Sequence, residues 1–343
     1  MGKGILAPLI AGLAAWASPA SAYTTLYAFG DSLSDVGNVY TASGGTIPIS
    51  PYYDGRFSNG PNWVDDLSAQ LGLVAAKASA RGGNDYAVGG AQTGPTLVNP
   101  GVPLVDLDQQ VKLFTSLHSF PFAKPSAGAL YTLDIGANDI RAALAADASN
   151  SAALSTFLGQ AIGNTLTAVG DLYADGARSL LYFEVPNLSV VPAFEAYGAL
   201  AGTLADEFNQ GVLSGLGTLE AQGLTVFDAP IYNDIGAIAA NPEAYGFSNA
   251  SSPCFSGSFD RAGSVCADPA SYVFWDTEHP TAAAHALTAE VAYDILEGNP
   301  NPIGDPAGAP EPSTWAMMLA GLAGLAFLRL RLARKRALAT ATA

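Results

Sequence analysis

Ser32 stands in a polar turn that follows an apolar segment. Residues 27–29 read Tyr-Ala-Phe, which is typical of a buried strand, and Gly30 breaks the pattern just before Asp31 and Ser32. Open α/β sheets bind their ligands at the carboxyl ends of parallel strands, where a glycine lets a ligand approach the backbone. Ser32 is therefore a candidate nucleophile, although serine and aspartate after a strand are also ordinary turn and helix N-cap residues.

A serine hydroxyl becomes an effective nucleophile when a neighbouring base accepts its proton. The chain has three histidines. His118 lies in a segment of helical spacing and is expected at the surface or in packing. His285 lies inside the last predicted helix, where we expect a structural role. His279 stands in a loop before Pro280 and is the candidate base.

Asp276 precedes His279 by three residues in the sequence Trp-Asp-Thr-Glu-His-Pro-Thr at 275–281. In a tight turn this spacing can bring a carboxylate to the imidazole Nδ1, so that Nε2 faces a serine and the imidazolium is stabilised. The same residues could instead cap the helix that begins near Pro280. Only the first interpretation gives a triad of Ser32, His279 and Asp276.

Short apolar segments alternate with longer segments of helical spacing, and these elements must position the three side chains. Strands are predicted at 25–29, 85–88, 129–134, 179–184 and 225–227, and helices at 62–71, 106–118, 151–173, 194–222 and 281–296. The alternation predicts an α/β fold with a mainly parallel sheet of about five strands and helices on both faces. The irregular stretch 39–61 is expected to arch over the mouth of the site.

Four sequence blocks occur in order at 27–38, 84–91, 133–139 and 275–281. They contain Gly-Asp-Ser-Leu-Ser, Asn-Asp-Tyr-Ala-Val-Gly-Gly-Ala, Gly-Ala-Asn-Asp and Asp-Thr-Glu-His-Pro, and together they resemble the GDSL, or SGNH, hydrolases over about residues 24–297. The first block is similar to the lipase and autotransporter-esterase branch. The resemblance implies a flavodoxin-like, three-layer α/β/α fold and hydrolysis of carboxylic esters through an acyl-enzyme, without a metal or organic cofactor.

The resemblance also implies three donors that stabilise an oxyanion. They are the backbone amide of Ser32, a glycine amide of the second block and the side-chain amide of Asn138. Gly89 and Gly90 leave the register open; we assign Gly90 because it precedes an Ala-Gln-Thr run as the family glycine precedes its polar residues. Asn138 could instead be the N-cap of a helix that runs to Ala145.

Charge and cysteine content restrict the functional classes. Residues 23–309 hold eight basic against 29 acidic residues, a formal charge near −21, which repels phosphate backbones and argues against nucleic acid as a partner. Cys254 and Cys266 lie twelve positions apart, and in a chain with the N-terminal export signal described next they predict a disulfide that fixes the loop ahead of 275–281. Such a closure stabilises a fold by roughly 3 kcal/mol. With no cluster of His or Cys ligands nearby, we expect no metal site.

Both ends of the chain differ in composition from the predicted hydrolase domain at 23–298. Residues 1–22 combine Lys3, an apolar run and a small-residue cleavage site, Ala-Ser-Ala, which predicts a signal peptide cleaved before Tyr23. Residues 299–312 form a Pro/Gly-rich linker.

Residues 313–343 contain an uncharged run at 315–328 followed by five basic residues. As a helix the run is about 21 Å long, short of the roughly 30 Å membrane core unless arginines snorkel. With Pro-Glu-Pro at 310–312, this segment resembles the PEP-CTERM sorting signal of Gram-negative bacteria. That implies an exosortase-type partner, and the basic tail keeps the domain outside the membrane, in the periplasm or at the cell surface. A plain membrane anchor is the alternative.

The sequence thus predicts an exported serine esterase or lipase that hydrolyses carboxylic esters, with an acyl lipid or an acetylated glycan as the substrate. Two alternatives remain: an O-acetyl esterase for extracellular polysaccharide, and a non-catalytic surface or matrix protein on the same scaffold. Tyr52, Tyr53 and Phe57 could line an acyl pocket, although aromatic residues in Pro-rich loops more often pack on their own fold.

Overall fold

The computed structural model describes residues 23–94, 105–118 and 128–299. The predicted signal peptide, the linker beyond residue 299 and the C-terminal segment lie outside the described residues. Within the described ranges, no helix is both long and apolar enough to cross a bilayer.

The central sheet has four parallel strands in the order β1-β2-β3-β4. They are β1 (Thr25–Gly30), β2 (Ala129–Asp134), β3 (Ser179–Phe183) and β4 (Thr225–Ala229). The remaining predicted strand, 85–88, lies along the free edge of β1, where the amide of Tyr86 donates to Ala28 O at 2.7 Å. It forms only an isolated bridge to β1. The ladder is interrupted because the amide of Gly30 donates to Gln110 Oε1 at 3.0 Å and not to the backbone of this segment, although the amide of Val88 still donates to Gly30 O at 3.1 Å.

Helices cover both faces of the sheet. They are α1 (Asn38–Ala42), α2 (Trp63–Gln70), α3 (Leu107–His118), α4 (Ala137–Asp147), α5 (Ser151–Asp175), α6 (Ala199–Glu220), α7 (Ile231–Ala240) and α8 (Ala282–Leu296). Side chains alternate across each strand. In β3, Leu180 and Tyr182 pack with α3 to α6, whereas Leu181 and Phe183 pack with α2 and α8. The predicted three-layer α/β/α fold is confirmed.

A second, two-stranded parallel sheet carries the loop of the two cysteines. It pairs β5 (Asn249–Pro253) with β6 (Tyr272–Phe274). Cys254 follows β5 directly and is bonded to Cys266, with 4.9 Å between the Cα atoms, so the predicted disulfide is confirmed. The amides of Cys254 and Phe255 donate to the carbonyls of residues 274 and 275, which ties this loop to the start of the 275–281 block.

Candidate active site

The turn after β1 holds Ser32 in a fixed position. Gly30 has φ +145°, and a Cβ at this position would lie 2.1 Å from the carbonyl oxygen of Asp134 on the neighbouring strand. Only glycine fits so close to that backbone. The side chain of Gln110 binds both backbone groups of Gly30, at 3.0 Å to the amide and 2.8 Å to the carbonyl. The chain therefore leaves the sheet at a defined angle two residues before Ser32.

Ser32, His279 and Asp276 form one chain of hydrogen bonds. Ser32 Oγ lies 2.9 Å from His279 Nε2, and His279 Nδ1 lies 2.7 Å from Asp276 Oδ2. The amides of Glu278 and His279 both donate to Asp276 Oδ1 at 2.8 Å, which closes the turn around the carboxylate. The helix-capping alternative for Asp276 is wrong, because Thr281 is the N-cap of α8 and its side chain accepts the amide of Ala284.

The electrostatic interactions among these three side chains favour an ionised Asp276 and a basic His279. Burial acts to raise the pKa of Asp276, but the charge of His279 and the hydrogen bonds that Asp276 accepts lower it to about 2. Burial acts to lower the pKa of His279, yet the adjacent Asp276 carboxylate outweighs it and leaves that pKa raised. The imidazolium that forms when His279 takes a proton is thus stabilised in place.

Asn138 lies in the first turn of α4 and points back across the strand ends. Its Nδ2 donates to Ala91 O at 3.0 Å and to Asp31 Oδ2 at 3.2 Å. The N-cap alternative is wrong, because Gly136 occupies the N-cap position and no side chain caps the helix. Asn138 therefore presents its amide to the same turn that carries Ser32.

The two glycines of the second block differ in their backbone amides. The amide of Gly89 donates to Asp35 Oδ2 at 2.9 Å, so it is occupied within the protein. Among the described residues, the amide of Gly90 has no protein acceptor. Gly90 lines the same cavity as Ser32, Asn138 and His279. This geometry favours Gly90 over Gly89 as a donor to a bound ligand.

Carboxyl groups beneath the site are buried and resist ionisation. Burial raises the pKa of Asp31 to about 6, despite the hydrogen bond from the amide of Leu33. Burial also raises the pKa of Asp139 to about 7, although its carboxylate accepts the amide and the hydroxyl of Thr93. These groups brace the loops that carry the candidate donors.

A cavity of about 640 Å³ opens beside Ser32 and has mostly apolar walls. Its apolar lining comes from α1, the 39–61 stretch, α3, α4 and the disulfide loop, and includes Val39, Ile47, Phe57, Leu113, Ala145 and Phe259. Arg141 and Glu278 also line it and form an ion pair at 2.7 Å. The charged groups in this wall thus neutralise each other.

Of the three aromatic residues proposed to line a pocket, only Phe57 does so; its ring centroid lies 5.2 Å from that of His279. Tyr52 turns to the other side, and its hydroxyl donates to Asp276 Oδ2. Tyr53 is 46% exposed and lies against Arg56. The amide of Tyr53 donates to Ser58 O at 2.9 Å, which fixes the backbone beside these two rings.

Sequence reasoning missed Tyr52 as a partner of Asp276, and it missed the Arg141–Glu278 pair and Phe259. Two signals were present for the pair: Arg141 follows Asn138 by three positions on one helix face, and Glu278 adjoins His279. For Tyr52 and Phe259 no local pattern exists.

Within the described residues, no group of three or more His, Cys, Asp or Glu side chains could hold a metal ion. An α/β/α domain with a hydrogen-bonded serine, histidine and aspartate at the strand ends has the arrangement of a serine hydrolase. Residues 26–292 match the sequence model of the GDSL-like Lipase/Acylhydrolase family, and the chain belongs to this family. Residues 309–335 match the PEP-CTERM protein-sorting motif, which indicates an exported protein sorted to the cell envelope.

Curated relatives cover most of the chain. A phosphatidylcholine-sterol acyltransferase of Aeromonas hydrophila is 27% identical over 80% of this chain and 91% of its own length. A GDSL esterase/lipase of Arabidopsis thaliana is 28% identical over 84% and 92%. Among solved structures, a catalytic mutant of Axe2, an acetylxylan esterase from Geobacillus stearothermophilus, matches with a TM-score of 0.43 and 14% identity over 80% of this chain and 94% of that one.

Proposed function

We propose that the protein is an exported serine esterase or lipase that hydrolyses carboxylic esters through an acyl-enzyme on Ser32. The observation that carries this proposal is the hydrogen-bonded chain of Ser32, His279 and Asp276 at the edge of a large apolar cavity. A nucleophile, its base and the group that orients the base are within reach of one another before any substrate binds.

In the proposed reaction, His279 Nε2 accepts the Ser32 proton while Oγ bonds to the ester carbonyl carbon. The tetrahedral intermediate collapses when the carbon–oxygen bond to the alcohol breaks and His279 returns the proton to the leaving oxygen. A water molecule then attacks the acyl-enzyme, again with His279 as base, and the carboxylic acid leaves with Ser32 regenerated. Asp276 keeps His279 in the required tautomer.

The oxyanion is proposed to accept hydrogen bonds from the amides of Ser32 and Gly90 and from Asn138 Nδ2. The Gly90 amide needs no rearrangement for this role. Asn138 must exchange its 3.2 Å bond to Asp31 for one to the oxyanion while it keeps the bond to Ala91 O. The bond to Asp31 lies at the long end of the normal range and is longer than the bond to Ala91 O, so it is the one proposed to be exchanged.

The shape and chemistry of the cavity favour an acyl lipid as substrate. A volume of about 640 Å³ is far larger than an acetyl group needs, and its apolar walls suit a hydrocarbon chain. A relative named for the transfer of acyl groups from phosphatidylcholine agrees with this choice. A polysaccharide carries many hydroxyl groups, and an apolar wall would leave those that it buries without hydrogen-bond partners.

The decisive experiment combines active-site labelling with a series of aryl esters from acetyl to long acyl chains. We expect a fluorophosphonate to label the wild type and the Ser34→Ala variant, and to leave Ser32→Ala unlabelled. Ser34 is the matched control, because it lies in the same turn with its hydroxyl on Asp134. Equal labelling of wild type and Ser32→Ala contradicts the nucleophile, and a preference for acetyl esters favours the deacetylase alternative. Absence of any turnover favours a non-catalytic scaffold.

The domain organisation is part of the same proposal. Residues 1–22 direct export and are removed before Tyr23, residues 23–298 form the catalytic domain, and 299–312 link it to the sorting segment at 313–343. An exosortase-type enzyme processes that segment, which holds the protein at the membrane with the catalytic domain in the periplasm or at the cell surface. The match to the sorting motif at 309–335 supports this organisation.

A further inference from the structure

Tyr52 joins the catalytic turn from outside it. Its hydroxyl donates to Asp276 Oδ2, the oxygen that also faces His279 Nδ1. The other donors to Asp276, two amides and the imidazole, all belong to residues 278 and 279. Tyr52 is thus a connection between this turn and a part of the chain 224 positions away.

The ring of Tyr52 is held by an aromatic cluster at the disulfide. Tyr52 is 7% exposed, and its ring meets Phe255 edge-on at 5.6 Å and Trp275 edge-on at 6.2 Å. Phe255 stacks on Trp275 at 5.4 Å. Phe255 directly follows Cys254, and Trp275 directly precedes Asp276. The cluster therefore fixes both ends of the hydrogen bond between Tyr52 and Asp276.

We propose that Tyr52 is a positioning residue for ester hydrolysis: held by the disulfide loop, it locks the Asp276 carboxylate against His279 and moderates the basicity of that imidazole. The inference rests on the proposed function, since it assigns His279 the role of base. A hydroxyl that donates to a carboxylate shares its negative charge, so the carboxylate stabilises an imidazolium less strongly. Without the hydroxyl, the carboxylate keeps its charge but loses one of the bonds that fix its rotation.

The test is Tyr52→Phe, with Tyr182→Phe as the matched control. Tyr182 is also buried, and its hydroxyl donates to Asn209 Oδ1 at 3.2 Å, away from the triad. We expect Tyr52→Phe to lower kcat about tenfold, the scale of one hydrogen bond to a charged group, with little change in KM. The acid limb of the pH profile of kcat/KM should move to higher pH, because the unshared charge of Asp276 makes His279 more basic. Tyr182→Phe should change neither.

Other charged groups also act on this unit, and the variant leaves each of them in place. They are Asp31, Arg141, Asp260 and Glu278, together with His285, which burial keeps neutral by lowering its pKa to about 3. A shift of the acid limb in Tyr52→Phe is therefore assigned to the lost hydroxyl.

A measurement on the full chain without substrate separates this inference from the proposed function. We expect the proton between His279 Nδ1 and Asp276 to give a downfield proton NMR signal that shifts in Tyr52→Phe and stays in place in Tyr182→Phe. If Ser32→Ala retains wild-type turnover, the proposed function fails whatever this signal does. If Ser32→Ala is inactive while Tyr52→Phe keeps the wild-type kcat, acid limb and NMR signal, the positioning role is overturned.

The role of the disulfide loop is tested by the double variant Cys254→Ser/Cys266→Ser, assayed well below its melting temperature. We expect it to lower kcat in the wild-type background and to have little further effect in Tyr52→Phe, because both changes release the same carboxylate. Equal fold-losses in the two backgrounds would show that the loop does not act through Tyr52.

Discussion

The role of Asn138 as an oxyanion donor predicts a defect in rate and not in stability. As an oxyanion donor it acts on the rate, and we expect Asn138→Ala to lower kcat by about 10²-fold with little effect on melting temperature. Asn150 is the matched control, because it is a genuine N-cap whose side chain accepts the amide of Ala153 at 3.1 Å. Asn150→Ala should lose about 1 kcal/mol of unfolding free energy and keep its rate. Kinetics and thermal melts together check this prediction; a destabilised Asn138→Ala with normal kcat contradicts it.

The residues of the candidate triad could be chosen from sequence because their types are scarce and their positions restricted. Only one of three histidines stands in a loop, and the spacing of Asp276 from His279 suits a turn. Tyr52 could not be chosen, because Tyr53 beside it is chemically identical. Which of the two rings turns inward depends on the aromatic cluster around the disulfide, and that cluster exists only in the folded chain.

At the scale of elements, Gly30 sets the junction between β1 and the catalytic turn. We expect Gly30→Ala to lower the unfolding free energy by about 2 to 3 kcal/mol and to abolish turnover, because the new Cβ collides with the backbone of Asp134. Gly159→Ala is the matched control: Gly159 lies within α5 and a Cβ there meets no atom within 4 Å. That variant should gain about 0.5 to 1 kcal/mol. Denaturant unfolding measures the unfolding free energy of both variants. A Gly30→Ala variant with wild-type stability and turnover would show that the close approach of residue 30 to the Asp134 backbone is not needed.

Helices and strands were predictable where hydrophobic periodicity and turn residues indicate the same boundaries. They were less predictable where contacts between distant segments set the boundaries. The strands of the central sheet lie where short apolar runs end in polar turns. The helix predicted at 194–222 is instead a 3₁₀ segment at Pro192–Tyr197 and α6, separated by Gly198 at φ +50°. Helix α7 was missed, because Pro230 stands at its N-cap and no side chain caps it.

For the whole molecule, buried carboxyl groups set the dependence of stability on pH. Burial raises the pKa of Asp31 to about 6 and the pKa values of Asp139, Glu184 and Asp234 to about 7. A carboxyl whose pKa is raised by folding stabilises the folded state at a pH below its pKa in the unfolded chain. This contribution is lost as the pH rises through its pKa in the folded chain. The raised pKa of His279 acts with the same sign. The pKa of His285, lowered by burial to about 3, acts with the opposite sign below about pH 6.5 but is outnumbered by the carboxyl groups, and the lowered pKa of Asp276 matters only in strong acid.

We therefore expect a higher melting temperature at about pH 5 than at about pH 8. Asp139→Asn should reduce the difference, because its amide oxygen still accepts hydrogen bonds from Thr93 but does not titrate. The exposed Asp268 supplies the control, and Asp268→Asn should leave the difference unchanged. Thermal melts across this range check the prediction, and a melting temperature that rises from pH 5 to 8 would contradict it.

The C-terminal segment is expected to decide where the protein resides and to leave its chemistry unaffected. The α/β/α domain closes with α8, whose residues pack against α2 and β4, so the described fold is complete before the sorting motif begins at residue 309. Deletion of 310–343 should move the protein from the membrane fraction to the soluble fraction while kcat and KM on a soluble aryl ester stay at wild-type values. Full-length Ser32→Ala is the opposite control and should remain with the membrane without turnover. Fractionation followed by assay of each fraction measures both properties, and retention of the truncated chain at the membrane would place the anchor elsewhere in the molecule.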